Sequence, residues 1–273
     1  MNGPHPLTIE NHPSKLAMLV HSKTDAHVSK QIAEQGVWEI FETQLLMQSL
    51  FAGATFVDVG ANIGYYSIVA SPLVGSTGRV FAFEPERDNF SLLEKNIQHN
   101  QLTNITAVAA ALSYADSDAE LFLNEENRGD HQIFQQSLGE STPQRTRQAI
   151  RLLNGADYFL SAGDSQPVDR IDVLKVDTQG AEFSVMSGLL PLIKKSLPSI
   201  KIILEFTPYS LRQAGSSGMA LLDLVDELAL PMNLIDHLGH KLIPINYDEM
   251  KEWILQTDAD EGNEGFINLL LGE

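Results

Sequence analysis

A chain of 273 residues, 43% hydrophobic and 20% charged, can bury a full core within one large α/β domain. No segment approaches the ~18 uninterrupted apolar residues of a membrane span, and the lack of cysteine excludes disulfides, thiolate metal sites and cysteine nucleophiles. Acids outnumber bases 36 to 18, for a formal net charge of −18, and no basic cluster extends beyond the pair Lys194–Lys195, so nucleic acid is not expected as a partner.

Residues 1–37 read as an N-terminal arm. The first thirty are polar, carry His5, His12, His21 and His27 without helical i, i+4 pairing, and show little periodicity. Met1–Glu10 has no basic stretch followed by an apolar one, so no secretory signal is read and a cytoplasmic address is expected. The folded domain is placed at 38–273. Trp38, Phe41, Leu45, Leu46 and Leu50 recur at helical spacing up to Phe51, and after Gly53 comes the apolar run Thr55–Val59. A helix is predicted over Ile63–Val74, a strand over Arg79–Glu84, a helix over Glu86–Asn100 and a strand over Ile105–Ala110. Residues 125–167 form a polar insertion, flanked by a short strand at Glu120–Leu123 and containing Arg147–Leu153. Alternation resumes with strand Val173–Asp177, helix Ala181–Leu192, strand Ile200–Phe206 and helix Gly218–Leu228. A strand at Leu234–His237, a helix at Tyr247–Leu255 and a strand at Phe266–Leu271 complete the chain. Strand and helix alternating at this spacing predict parallel strands with right-handed crossovers. The product is a doubly wound, Rossmann-like α/β fold: seven mostly parallel strands, helices on both faces, and the last strand a candidate for antiparallel pairing.

Ligands of open α/β sheets sit beyond the carboxyl ends of the strands where strand order reverses. The first such turn is Asp58-Val59-Gly60-Ala61-Asn62-Ile63-Gly64, in which Gly60 and Gly64 permit a tight bend and close backbone approach. The dinucleotide fingerprint G-x-G-x-x-G is not met, because Asn62 stands at its second glycine, and the phosphate loop G-x-x-x-x-G-K-[ST] is absent. The next strand closes on Glu84, an acid placed to accept hydrogen bonds from the ribose of an adenosyl cofactor. A third element, Val173–Glu182, ends its strand in Asp177 and turns at Gly180 into a helix, and Glu205 closes the strand after it.

At these residues the chain resembles the FkbM-like methyltransferases. The likeness is carried by Phe56–Ser67 (FVDVGANIGYYS), Phe83–Asn96 (FEPERDNFSLLEKN) and Leu174–Glu182 (LKVDTQGAE), in order, and runs from about Trp38 to Leu271. The resemblance implies a class I methyltransferase fold, S-adenosyl-L-methionine as donor, and O-methylation of a hydroxyl on a small molecule, sugar or natural product. A nucleotide-linked oxidoreductase and a non-catalytic adenosyl-binding module stand as alternatives. On this basis Gly60, Ala61, Asn62 and Gly64 would lie along the methionine part of the donor, with Asp58 opening the same cofactor-binding turn and Tyr65 and Tyr66 at a helix start whose N–H groups can meet the donor carboxylate. Glu84 would take the ribose, and Ala110, Ala111 and Leu112 would flank the adenine.

A hydroxyl acceptor must lose a proton, and Asp177, His131 and Glu205 are the candidate catalytic groups; Asp177 is also a candidate for contact with the cofactor. Glu182 reads as a first-turn helix acid, Glu39 as a solvated helix acid near enough to reach the cofactor, and His237 and His240 as weaker bases. No metal is expected as a resident cofactor, although Asp177 could supply one ligand to Mg²⁺, with Asp130 and Glu205 as further oxygen ligands. The expected partner is a small-molecule acceptor, with no nucleic acid or membrane; oligomeric state and acceptor identity are not written in the sequence.

Overall fold

The N-terminal segment folds onto the domain instead of standing off as an arm. In the computed structural model, which describes residues 3–21, 25, 27–124, 127–133, 146–160, 168–260 and 262–273, β1 (His5–Pro6) pairs antiparallel with β2 (Ala17–Met18). Helix α1 (Val28–Gln35) follows, and Met18 and Ile32 join the core. The side-chain amides of Asn96 and Asn100 act as surrogate strand for this segment. Asn96 accepts from the Leu19 N–H at 2.7 Å and donates to its carbonyl, and Asn100 treats Ala17 the same way. These ties come from residues more than 75 positions downstream, so no local periodicity announces them.

The domain proper starts with α2 (Ile40–Ser49), β3 (Thr55–Val59), α3 (Tyr65–Val74), β4 (Arg79–Phe83), α4 (Arg87–His99) and β5 (Ile105–Val108). Every residue of β3 is buried, as a strand covered on both faces requires. The third predicted strand ends earlier than expected. After Val108 the chain leaves the main sheet, and Ala111–Ser113 becomes β6 of a separate three-stranded sheet with β7 (Ser117–Leu123) and β8 (Thr146–Asn154), in the order β6-β8-β7. The expected polar insertion therefore includes a strand and α5 (Gly155–Leu160); its residues 125–126, 134–145 and 161–167 lie outside the described residues.

Next come β9 (Val173–Val176), α6 (Glu182–Ser196), β10 (Lys201–Phe206), the short α7 (Pro208–Gln213), α8 (Gly218–Asp226), β11 (Met232–Asp236), β12 (Lys241–Pro244), α9 (Tyr247–Asp258) and β13 (Ile267–Leu271). The main sheet has eight strands, in the order β12-β11-β13-β10-β9-β3-β4-β5. The expected seven omit β12, whose exposed, short segment becomes a strand only by pairing back on β11. The last strand is antiparallel and inserts between β10 and β11. Period-two alternation divides the core. Val57, Val59, Leu174 and Leu204 face α6, α8 and α9, whereas Phe56, Val173, Ile203 and Leu270 face α2 and α3.

The two sheets are joined where α6 passes over β6. Gly188 lies at that crossing, and a Cβ there would sit 1.9 Å from the Ser113 carbonyl oxygen. Helix propensity alone favours Gly188→Ala by about 1 kcal/mol. The clash is with backbone, which cannot swing aside, so the substitution is expected to lower stability by about 1–3 kcal/mol in urea unfolding. A stabilised variant would show that α6 and β6 are free to part.

Candidate active site

After β3 the chain builds β4 and β5 on one side, then crosses to β9 on the other, so strand order reverses between β3 and β9. A cavity of about 490 Å³ opens there, walled by the ends of β3, β4, β9 and β10 and by residues 127–133. Gly60 sets its floor. The residue has φ +84°, and a Cβ would lie 1.9 Å from the Asp177 carbonyl oxygen, so only glycine lets the β3–α3 and β9–α6 turns touch. Backbone bonds lock the contact: Gly60 and Ala61 donate to the Phe83 carbonyl, and Asp177 donates to Val59 at 3.1 Å.

Most of the expected donor-binding residues meet at this cavity. Gly60, Ala61, Asn62, Tyr65, Tyr66, Glu84, Ala111 and Leu112 line it; Asp58, Gly64 and Ala110 do not. Asp58 points to the opposite face of β3 from Val59, where Ser67 donates to it at 2.6 Å, and burial pushes its pKa up to about 6. It anchors α3. Gly64, at φ +91°, is packed against Leu93, and Ala110 is enclosed at the turn between β5 and β6. Glu84 is 5% exposed and accepts from two backbone amides, Asn62 and Glu86, each at 2.8 Å. Burial pushes its pKa up to about 8 against the pull of those bonds. Asn62, at φ +52°, spends its side chain on the opposite wall, donating to the Arg128 carbonyl at 3.1 Å. Asn89 donates to the same carbonyl, so the segment around Arg128 is strapped to the glycine turn.

Two of the three catalytic candidates, Asp177 and Glu205, meet at the ends of β9 and β10. Asp177 accepts from the Lys175 ammonium at 3.0 Å through Oδ2 and from the Gln179 amide through Oδ1. Gln179, at φ +54°, also donates to Glu205 at 2.7 Å and so bridges the two carboxylates. Burial first, then Asp177 and Glu182, hold Glu205 well above the ordinary glutamate range. Glu182 is a buttress: its carboxylate accepts from the Thr178 and Gly180 amides and the Thr178 hydroxyl, fixing the turn that carries Gln179. His131 lines the cavity, with Nδ1 accepting from the Asn124 amide at 3.0 Å, so the neutral ring carries its hydrogen on Nε2.

Lys175 was not foreseen. Its ammonium, 3.0 Å from Asp177 and 3.4 Å from the fully buried Glu42, lies 4.6 Å over the Tyr66 ring. Burial alone would lower its pKa, but Asp177, Glu42, Glu39 and Asp58 together hold it well above the ordinary lysine value. The available signal was one ionisable residue in the apolar run Val173-Leu174-Lys175-Val176. Glu39 is also not the solvated helix acid expected. It lines the cavity, accepts from the Tyr66 hydroxyl at 2.6 Å, and its pKa is pushed up to about 8 by burial and then by Glu42. Of the metal ligands considered, Asp130 is taken by the Asn124 and Gln132 amides and Asp177 by Lys175 and Gln179. Among the described residues, Glu39, Glu42 and His237 bring ligand atoms within 4.8 Å of one another, and Lys175 already supplies positive charge beside Glu42. His240 lies outside the cavity, stacked on Phe41.

Over 86 residues, 30% of this chain, the sequence is 33% identical to 45% of a Sulfurisphaera tokodaii protein named "Probable cobalt-precorrin-6B C(15)-methyltransferase (decarboxylating)". Methyltransferase sdnD of Sordaria araneosa is 26% identical over 154 residues, 49% of this chain and 59% of its own. Matches to these curated relatives thus reach 45% and 59% of their lengths. Among solved structures, the precorrin-6y C5,15-methyltransferase of Geobacter metallireducens GS-15 aligns with a TM-score of 0.44 and 16% identity, over 91% of this chain and 94% of that one. The Methyltransferase FkbM domain matches residues 58–239, a span that holds the glycine turn, Glu84, the strap around Arg128, Lys175, Asp177 and Glu205; the chain belongs to the FkbM methyltransferase family.

Proposed function

We propose that the protein transfers a methyl group from S-adenosylmethionine to a hydroxyl of a small-molecule acceptor. The reading rests on one observation: the Gly60 turn and the buried Glu84 carboxylate face a common cavity at the β3–β9 reversal. The residues suit the donor. Gly60 lets the β3–α3 and β9–α6 turns close together at the cavity floor, Glu84 offers its carboxylate to ribose hydroxyls, and the first turn of α3 presents N–H groups with no intrahelical acceptor. Ala111 and Leu112 offer an apolar wall for adenine. When bound, S-adenosylmethionine supplies an electrophilic sulfonium methyl, so the protein's own work is to align an acceptor and to remove its proton.

A cavity of about 490 Å³ is within the range of sites for small ligands, and the acidic surface disfavours a phosphate-rich acceptor. Kinship leaves the acceptor atom open, since one relative is named for methylation at carbon. Support for oxygen comes from the paired acids. Asp177 and Glu205 both face the cavity, bridged by the Gln179 amide, so one carboxylate can take a proton while the other holds the acceptor. Asp177 would receive the hydroxyl proton, and Glu205 would orient the acceptor. His131 is the weaker base, because Nδ1, the nitrogen that could take a proton, is engaged with Asn124.

S-adenosylhomocysteine should bind and raise the melting temperature by ligand linkage. No shift at saturating ligand, or a shift with NADH in its place, would overturn the methyltransferase reading. Glu84→Ala is expected to weaken adenosylhomocysteine binding by roughly 2–3 kcal/mol, on the order of 30- to 150-fold in calorimetry. Screening hydroxylated acceptors with labelled donor gives the substrate for a single-turnover test. In it Asp177→Asn should lose about 10²–10⁴ in rate, and His131→Ala should stay within about tenfold of wild type. The reverse ranking would make His131 the base.

A further inference from the structure

The methionine end of the donor is zwitterionic, and nothing above assigns a partner to its ammonium. We infer that Glu39 is that partner: its carboxylate, held in the cavity wall by Tyr66, receives the α-ammonium of S-adenosylmethionine. The inference rests on the donor reading given above and adds a specificity residue to it.

Three features of the structure carry it. The first is position. Glu84 marks the ribose at the end of β4, and Glu39 stands across the Gly60–Tyr66 turn, on the side of β9, where the amino-acid end of a donor lying over that turn falls. The second is the state of the carboxylate. Its Oε2 accepts from the Tyr66 hydroxyl at 2.6 Å, whereas among the described residues Oε1 has no hydrogen-bond donor. Glu39 also has φ 40° at the start of α2, an uncommon conformation for a residue with a side chain, and such strain is kept where the surroundings require one orientation.

The third feature is charge. Lys175 lies against Glu42 and Asp177 and within the field of Glu39 and Asp58, while Arg128, also in the cavity wall, is turned to Glu86 and Asp88. Among the described residues no cation lies within ion-pair distance of Glu39; burial first, and then the like charge of Glu42, push its pKa up to about 8, with Lys175 pulling the other way. A ligand ammonium on Oε1 supplies the missing charge. A carboxylate there would add to the repulsion, which directs the acidic group of the same ligand to the start of α3.

The test compares two ligands on three proteins by calorimetry, with EDTA present. S-adenosylhomocysteine carries the ammonium; 5′-methylthioadenosine keeps adenosine and sulfur but lacks the amino-acid group. Glu39→Gln should weaken adenosylhomocysteine binding roughly 10- to 100-fold and leave methylthioadenosine within about twofold. Tyr66→Phe, which removes the hydroxyl but keeps the ring and the acid, should cost less than Glu39→Gln. Equal losses for both ligands would make Glu39 a structural support, and unchanged adenosylhomocysteine affinity would place the ammonium elsewhere. A wild-type affinity that appears only when Mg²⁺ replaces EDTA would assign Glu39 to a metal; each of these results overturns the inference. Wild-type protein that binds neither ligand would instead reject the donor reading itself.

Discussion

A buried ammonium surrounded by carboxylates holds the crevice together. Lys175 is 4% exposed, on a strand that is otherwise apolar, and its charge is tolerable only because Asp177 and Glu42 lie within 3.4 Å. Removing one partner of a fully buried pair typically costs about 3–5 kcal/mol, so the elements carrying the partners are not free to drift. Glu42 brings α2 against the sheet, where it also accepts from Asn268 of β13 at 2.9 Å. Asp177 fixes the turn after β9. Tyr66, under the ammonium, ties α3 to Glu39. One side chain thus ties β9 to α2 and α3 beside the cavity.

That arrangement makes the cavity polar at one end and apolar at the other. Toward β9 lie the acids and Lys175; toward β6 lie Ala111 and Leu112. The sheet itself explains the division. At the carboxyl end its α2/α3 face carries Asp58 beside Lys175 in register, and Glu205 opposite Asn268, where the same face deeper in the domain carries Phe56, Val173 and Ile203. Polar groups gather where the strands end because a ligand or water can reach them there. Deeper in the sheet they would be desolvated without a partner.

The glycine turn and the opposite wall are mechanically one unit. Asn62 gives its backbone amide to Glu84 and its side-chain amide to the Arg128 carbonyl, so a single residue touches both the acid assigned to the ribose and the strap across the cavity. The Arg128 guanidinium pairs with Asp88 at 3.2 Å, at the start of α4. Walls of this kind, more than the sheet, determine which acceptor atom a shared fold methylates, and fold alone does not identify function.

The sequence by itself determined the order and type of the main elements and the glycine turn with its following acid. Those features are written in local pattern: buried β-branched runs, helical spacing such as Phe90, Leu93 and Ile97, and residues whose backbone freedom or charge matters wherever they stand. The tertiary structure alone decided the rest. It docked the N-terminal segment through Asn96 and Asn100, split Ala111–Ser113 from β5 into a second sheet, and added β12 as an eighth strand. It turned Asp58 away from the cavity although it sits in the motif, by the alternation of a strand whose register only pairing can set. It also brought Glu39 and Glu42 to Lys175, residues more than 130 positions apart in the chain. Attraction between buried charges depends on distance through space and on the loss of water around them, and neither quantity is encoded in sequence separation.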